Sequence, residues 1–167
     1  MTFTWADFRS AEPDFADTVR QRFQMYPHHV LATLRKDGSP RVSGLEVPFL
    51  FGELWLGMMP NSLKALDLLR DPRLNVQANP GSGNALADGD VRIGGRALAV
   101  TDESLLARVS AEVGVPLPFH LFRVELSEVV WTGMDGEDMV VRIWRPGQPL
   151  RTVRRGAGEG PPREEDA

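Results

Sequence analysis

The residues with the most chemical promise lie together in Gly57-Met58-Met59-Pro60-Asn61-Ser62-Leu63-Lys64. They follow an apolar run, Glu53-Leu54-Trp55-Leu56, that reads as a strand, and they precede Ala65-Leu66-Asp67-Leu68-Leu69-Arg70, which reads as a helix. Asn61 or Ser62 suits the N-cap, because a short side-chain oxygen there can accept a free backbone N–H. Leu63, Leu66 and Leu69, widened by Leu68, form the expected buried stripe. Arg70 suits the last turn, and Pro72 stops the helix. Helix N–H groups, the Ser62 hydroxyl and the Lys64 ammonium thus fall within one turn. That combination can seat a phosphate. The competing reading is a capped surface helix with a solvated lysine.

Other chemistry finds less support. His28 and His29 are adjacent at a strand start, so they face opposite ways, and no further histidine or carboxylate completes a metal set. No metal site is expected. His120, beside Phe119, reads as a packed or interface histidine. Ser39, Ser43 and Ser62 have no histidine at a hydrolase spacing. Gly81-Ser82-Gly83 meets Leu86 where a dinucleotide fingerprint needs its third glycine. Asp135, Glu137 and Asp138 flank a turn and are most simply solvated. No catalytic residue can be assigned.

The elements that position these residues follow from periodicity. Residues 4 to 26 read as helical, with Pro13 dividing a short helix from a longer one and Phe8, Phe15, Val19 and Phe23 as the apolar face. From His29 the period becomes two, and Asp37-Gly38 marks a hairpin. The second strand, about Arg41 to Leu50, contains Gly44 and Pro48 and is expected to bulge. Further strands are expected at Arg73 to Ala78, Asp90 to Val100, Leu121 to Trp131, Met139 to Trp144 and Leu150 to Val153. Asn79 to Gly89 reads as a mobile loop, and a helix starts near Thr101-Asp102-Glu103-Ser104. The class is mainly β with a few helices, an antiparallel barrel closed or partly closed. Residues 1–155 make one domain. Residues 156–167, rich in Gly, Pro, Glu and Arg, read as a disordered tail.

With 167 residues, 42% of them hydrophobic and 25% charged, the chain can bury a real core. A net charge of −4 leaves no basic footprint for nucleic acid. The absence of cysteine excludes disulfides and thiol catalysis. No signal peptide or apolar run of membrane-spanning length is seen, so a cytoplasmic protein without a membrane partner is expected. Trp55, Trp131 and Trp144 exceed what the core of one such barrel is expected to cover, which points to a homodimer.

The run Leu31-Ala32-Thr33-Leu34-Arg35-Lys36-Asp37-Gly38-Ser39-Pro40-Arg41-Val42 resembles the opening hairpin of the pyridoxamine 5′-phosphate oxidase-like family, the FMN-binding split barrels. Asn61-Ser62-Leu63-Lys64-Ala65 with Asp71-Pro72-Arg73, and Val91 to Ala97, resemble that family's phosphate helix and the strands after it. The resemblance covers about residues 25 to 145 and implies a split β-barrel, a homodimer and a flavin at the subunit interface. It places Ser62 and Lys64 at the phosphate. Ser43, Gly44, Leu45 and Glu46 fall beside the isoalloxazine ring, and Gly57, Met58 and Met59 line the same cavity. The oxidase proper carries an arginine and a lysine where this chain has Ser43 and Pro48, and a basic residue where it has Leu63. Its substrate arginines have only Trp144 and Arg151 as stand-ins. The resemblance therefore implies a flavin-dependent oxidoreductase acting on a small molecule other than pyridoxamine phosphate, with FMN or the deazaflavin F420 as cofactor. The alternative is a non-catalytic flavin- or haem-binding protein for storage, sensing or delivery, with His120 or His29 as the iron ligand.

Overall fold

The computed structural model describes residues 1–83 and 85–165. Asn84, in the loop expected at Asn79 to Gly89, and residues 166–167, at the end of the expected tail, lie outside the described residues.

The first two helices obey their local signals. In α1 (Trp5–Ala11) the Asp7 carboxylate accepts the Thr4 N–H at 2.8 Å. Pro13 opens α2 (Pro13–Gln24), at the position where its missing N–H costs nothing. Trp5, Phe8, Phe15, Val19 and Phe23 of this pair are buried in the main core. The chain then enters β1 (His29–Leu34) and β2 (Pro40–Leu45), paired antiparallel about a turn at Asp37-Gly38 in which Gly38 takes φ +85°.

The strand expected from Arg41 to Leu50 is divided. β2 ends at Leu45, and β3 (Phe49–Leu50) pairs instead with β4 (Glu53–Met58). Pro48 lacks the N–H that would continue the first ladder, while its carbonyl accepts the Trp55 N–H at 3.0 Å. Next come α3 (Leu63–Arg70) and β5 (Arg73–Gln77). After the loop, which holds a 3₁₀ turn at Ala85–Ala87, follow β6 (Asp90–Ala99) and α4 (Glu103–Val113). Asp102 caps α4 through a 2.8 Å bond from the Leu105 N–H, and Gly114 ends it in the left-handed region.

The sheet is antiparallel, in the order β2-β1-β5-β6-β7-β8-β9-β10, where β7 is His120–Asp135 and β8 is Asp138–Trp144. The long β7 pairs with β6 along one edge and divides its other edge between two strands: His120 to Arg123 pair with β4, and Val129 to Asp135 pair with β8. β4 and β2 share no ladder among the described residues, so the barrel is split between them. β6 bulges between Gly94 and Gly95, where a Cβ on Gly95 would lie 2.2 Å from the Glu125 carbonyl oxygen. The last strands are β9 (Arg151–Arg155) and β10 (Arg163–Glu165). β10 lies in the segment that composition reads as disordered. It pairs with β9, and Arg154 and Arg151 form ion pairs with Glu165 and Glu164.

Two sequence expectations about packing are corrected. Trp144 joins the main core, and Trp55 is buried with Val109 and Leu121 under α4. Trp131 is half-buried, so three uncovered tryptophans do not mark an interface. The second correction concerns α3. Leu63, Leu66 and Leu69 are 61%, 40% and 52% exposed, while Ala65, Asp67 and Leu68 are buried. The helix is turned by nearly half a revolution from its apolar stripe. Asp67 explains why: its carboxylate takes hydrogen bonds from Thr33 Oγ1 at 2.8 Å and Arg41 Nε at 2.6 Å, on β1 and β2. Arg70 adds a third at 2.9 Å and also reaches the Leu34 carbonyl.

Candidate functional site

β4 delivers the chain to a tight turn at its end. Asn61 takes φ +56°, uncommon for a residue with a side chain, and its N–H donates to His120 Nε2 at 3.4 Å. Ser62 is the N-cap of α3 by backbone conformation, and its carbonyl accepts the Leu66 N–H. Its hydroxyl does not cap the helix. It is buried and has no hydrogen-bond partner among the described residues. A helix start leaves its first N–H groups unpaired as well. Ser43 repeats the pattern on β2, with a buried hydroxyl lacking a partner. Lys64 connects the two elements by donating from Nζ to the Gly44 carbonyl at 2.5 Å. Burial holds the pKa of this ammonium below the ordinary 10.5.

Ser43, Gly44, Ser62 and Lys64 therefore come together where the start of α3 crosses β2. A Cβ on Gly57 would meet nothing within 4 Å, and one on Gly44 only the His29 carbonyl at 3.8 Å, so both glycines border open space. Met59 is exposed beside them. The Leu45 and Met58 side chains instead point into the main core, leaving only their backbone for a ligand. Glu46 lies apart, on a cavity of about 520 Å³ formed with Tyr26, Val47, Pro48 and Phe49. Its carboxylate is 3.7 Å from the exposed His28.

The histidines separate by environment. His29 is buried against Phe23, and its Nδ1 accepts the Asn79 N–H at 3.0 Å. Desolvation lowers its pKa, with Arg22 and His28 adding to the effect against a hydrogen bond to the Phe23 backbone. Among the described residues no three His, Cys, Asp or Glu side chains converge as metal ligands. Of the two stand-ins for substrate arginines, Trp144 is buried in the main core, and Arg151 lies on β9, paired with Glu164.

Sequence reasoning missed the Asp67 cluster. Burial by itself would raise the Asp67 pKa, but hydrogen bonds from Arg41, Arg70 and Thr33 outweigh it and hold the carboxyl below 3.8. The available signal was the alternation that puts Arg41 on the same face of β2 as Ser43.

The family model of pyridoxamine 5′-phosphate oxidase matches residues 15–130. The chain belongs to this family. The match runs from α2 through the second half of β7 and includes β2 and α3. Among solved structures, a pyridoxamine 5′-phosphate oxidase-related, FMN-binding protein of Nostoc punctiforme is 16% identical over 87% of this chain and 96% of its own, with a TM-score of 0.60. A heme-binding protein of Mycobacterium smegmatis is 23% identical over 74% of this chain, with a TM-score of 0.58, and this chain spans 55% of that protein. HutZ, the heme storage protein of Vibrio cholerae, is 17% identical over 81% of this chain and 94% of its own, with a TM-score of 0.55. At these identities the likeness is one of fold, the split barrel. No curated protein matches the chain in sequence. No described helix is long and apolar enough to cross a membrane.

Proposed function

We propose that this protein binds FMN at the crossing of β2 and α3 and acts as a flavin-dependent oxidoreductase on a small molecule. The observation that carries the reading is the pair of buried hydroxyls without a partner among the described residues, Ser43 on β2 and Ser62 at the start of α3, on the two elements that a partly desolvated ammonium, Lys64, connects. Buried polar groups are almost always hydrogen-bonded, so two such groups beside a free helix start suit an anionic ligand. In this reading Ser62, Lys64 and the first N–H groups of α3 hold the phosphate. The backbone from Ser43 to Leu45 runs beside the ring, and Gly57 and Met59 leave space for it. The bound flavin supplies electron and hydride transfer, while the chain supplies binding, orientation and exclusion of water. F420 would use the same phosphate seat and is the alternative cofactor.

The working unit is proposed to be a homodimer with the cofactor at the subunit interface. Met59, Leu63, Leu66 and Leu69 expose apolar surface on α3 and the turn before it, next to the proposed phosphate seat. Light scattering of the cofactor-loaded protein should give twice the chain mass, and a stable monomer would refute the shared site.

The visible spectrum tests the cofactor. A yellow protein bleached by dithionite and by NAD(P)H is the expected result, and a colourless protein that binds F420 but not FMN selects the deazaflavin. The second reading is haem binding, supported by the names of two structural neighbours and by half-buried His120 at the site. His120 is preferred to His29 as its ligand because His29 is buried, with Nδ1 accepting the Asn79 N–H at 3.0 Å, while His120 is half-buried and its Nε2 contact is longer, at 3.4 Å. A Soret band that disappears in His120→Ala would favour haem over flavin.

A further inference from the structure

We propose that Arg41 is the second cation of the phosphate seat, a binding residue oriented for that purpose by Asp67. The inference rests on the phosphate reading given above and extends it. A phosphate monoester carries about −1.5 to −2 charges near neutral pH, and Lys64 supplies only +1. Arg41 lies two residues before Ser43 on β2, so their side chains share a face. Lys64 and Asp67 are three apart on α3 and share a flank of the helix. Their contacts on β2 are Gly44 and Arg41, with Ser43 between them. Along β2, Ser43, whose hydroxyl has no partner among the described residues, therefore lies between Arg41 itself and the point at which Lys64 is anchored.

The charge balance supports a ligand. Asp67 is one carboxylate facing two guanidinium groups, Arg41 and Arg70. That triad carries +1, and Lys64 one turn earlier raises the local charge to +2 in a chain whose net charge is −4. The Asp67 bond to Arg41 runs through Nε at 2.6 Å, which leaves the two Nη groups of the fork. The Arg41 side chain is 18% exposed, so it is not sealed in the core. A carboxylate that fixes the rear of a guanidinium presents its front in one orientation, the arrangement that suits two-point contact with phosphate. A structural ion pair alone would need only one arginine for one carboxylate, and Arg70 is already there.

The test compares FMN with riboflavin, which has the ring and no phosphate, by fluorescence titration. Arg41→Gln combined with Asp67→Asn removes one positive and one negative charge together, so no unpaired buried charge remains. The expected result is a loss of about tenfold or more in FMN affinity with riboflavin affinity unchanged. Arg41→Lys keeps the charge and loses the fork, and should weaken FMN several-fold with riboflavin again unchanged. Where the double variant fails to fold, both ligands are lost together and Arg41→Lys decides. A wild-type ratio in every variant of Arg41 that folds overturns the proposal. Lys64→Ala separates the two failures. If it shifts the ratio and the Arg41 variants do not, Arg41 is only structural; if it leaves the ratio unchanged, the phosphate seat itself is wrong.

Discussion

Replacing Lys64 by alanine probes the site most directly. The ammonium has three donors, and one is engaged with the Gly44 carbonyl at 2.5 Å. The remaining two have no side-chain or backbone acceptor among the described residues. A hydrogen bond to a charged group contributes about 1.5–3 kcal/mol, roughly ten- to a hundredfold in affinity. Lys64 is only partly buried and the site is open beside Gly44 and Gly57, so solvent screening places the expected loss near the tenfold end. The assay is a fluorescence titration of the wild type and Lys64→Ala with FMN and with riboflavin. FMN should weaken and riboflavin should not. The fold should survive, because the α3 anchors are Ala65, Leu68 and the Asp67 cluster. Proton linkage gives a second signature. Burial lowers the pKa of Lys64 in the free protein, and a bound dianion would raise it. The contribution of Lys64 to FMN affinity is therefore complete below the free-state pKa and declines as pH rises through it, starting below 10.5. Riboflavin binding should show no such decline. Equal losses of FMN and riboflavin in Lys64→Ala would mean that the residue shapes the ring pocket or the fold. No loss of either would refute the phosphate assignment.

Ser62→Ala should weaken FMN in the same selective way but by less, read from the same titration. Asp67→Ala leaves Arg41 facing a vacated, largely buried position and should destabilise the fold by about 3–5 kcal/mol in urea denaturation. Because the folded-state pKa of Asp67 is depressed, its stabilisation is present above the unfolded value and is lost as pH falls through the folded one, below 3.8. The acid limb of the wild-type stability curve should therefore flatten in Asp67→Asn. Gly95→Ala would drive a Cβ against the Glu125 carbonyl at the β6 bulge and should cost about 1–3 kcal/mol, seen as a fall in melting temperature. Truncation after Arg155 removes β10 and its exposed ion pairs, and should lower the melting temperature only slightly, without loss of cofactor. A large fall in either would show that β10 supports the fold or the site beyond its exposed edge pairing.

The sequence by itself determined the features governed by the nearest few residues. Pro13 at a helix start, Gly38 in a hairpin, Asp102 as a cap and Gly114 as a stop each act through backbone sterics or one local hydrogen bond. The order of strands and helices followed from these signals, as did the proposed phosphate seat, since Ser62 and Lys64 belong to a single turn. Tertiary structure decided which face of α3 is buried. Its leucine periodicity indicated one answer, and the Asp67 bonds to Thr33 and Arg41, 34 and 26 residues away, imposed nearly the opposite one. It also put Trp55 and Trp144 into cores that no local window contains, and it ended β2 before Pro48 because β4 offered the next partner. Only the assembled sheet shows that Ser43 and Ser62 lack partners, because an unmet hydrogen bond depends on everything nearby in space.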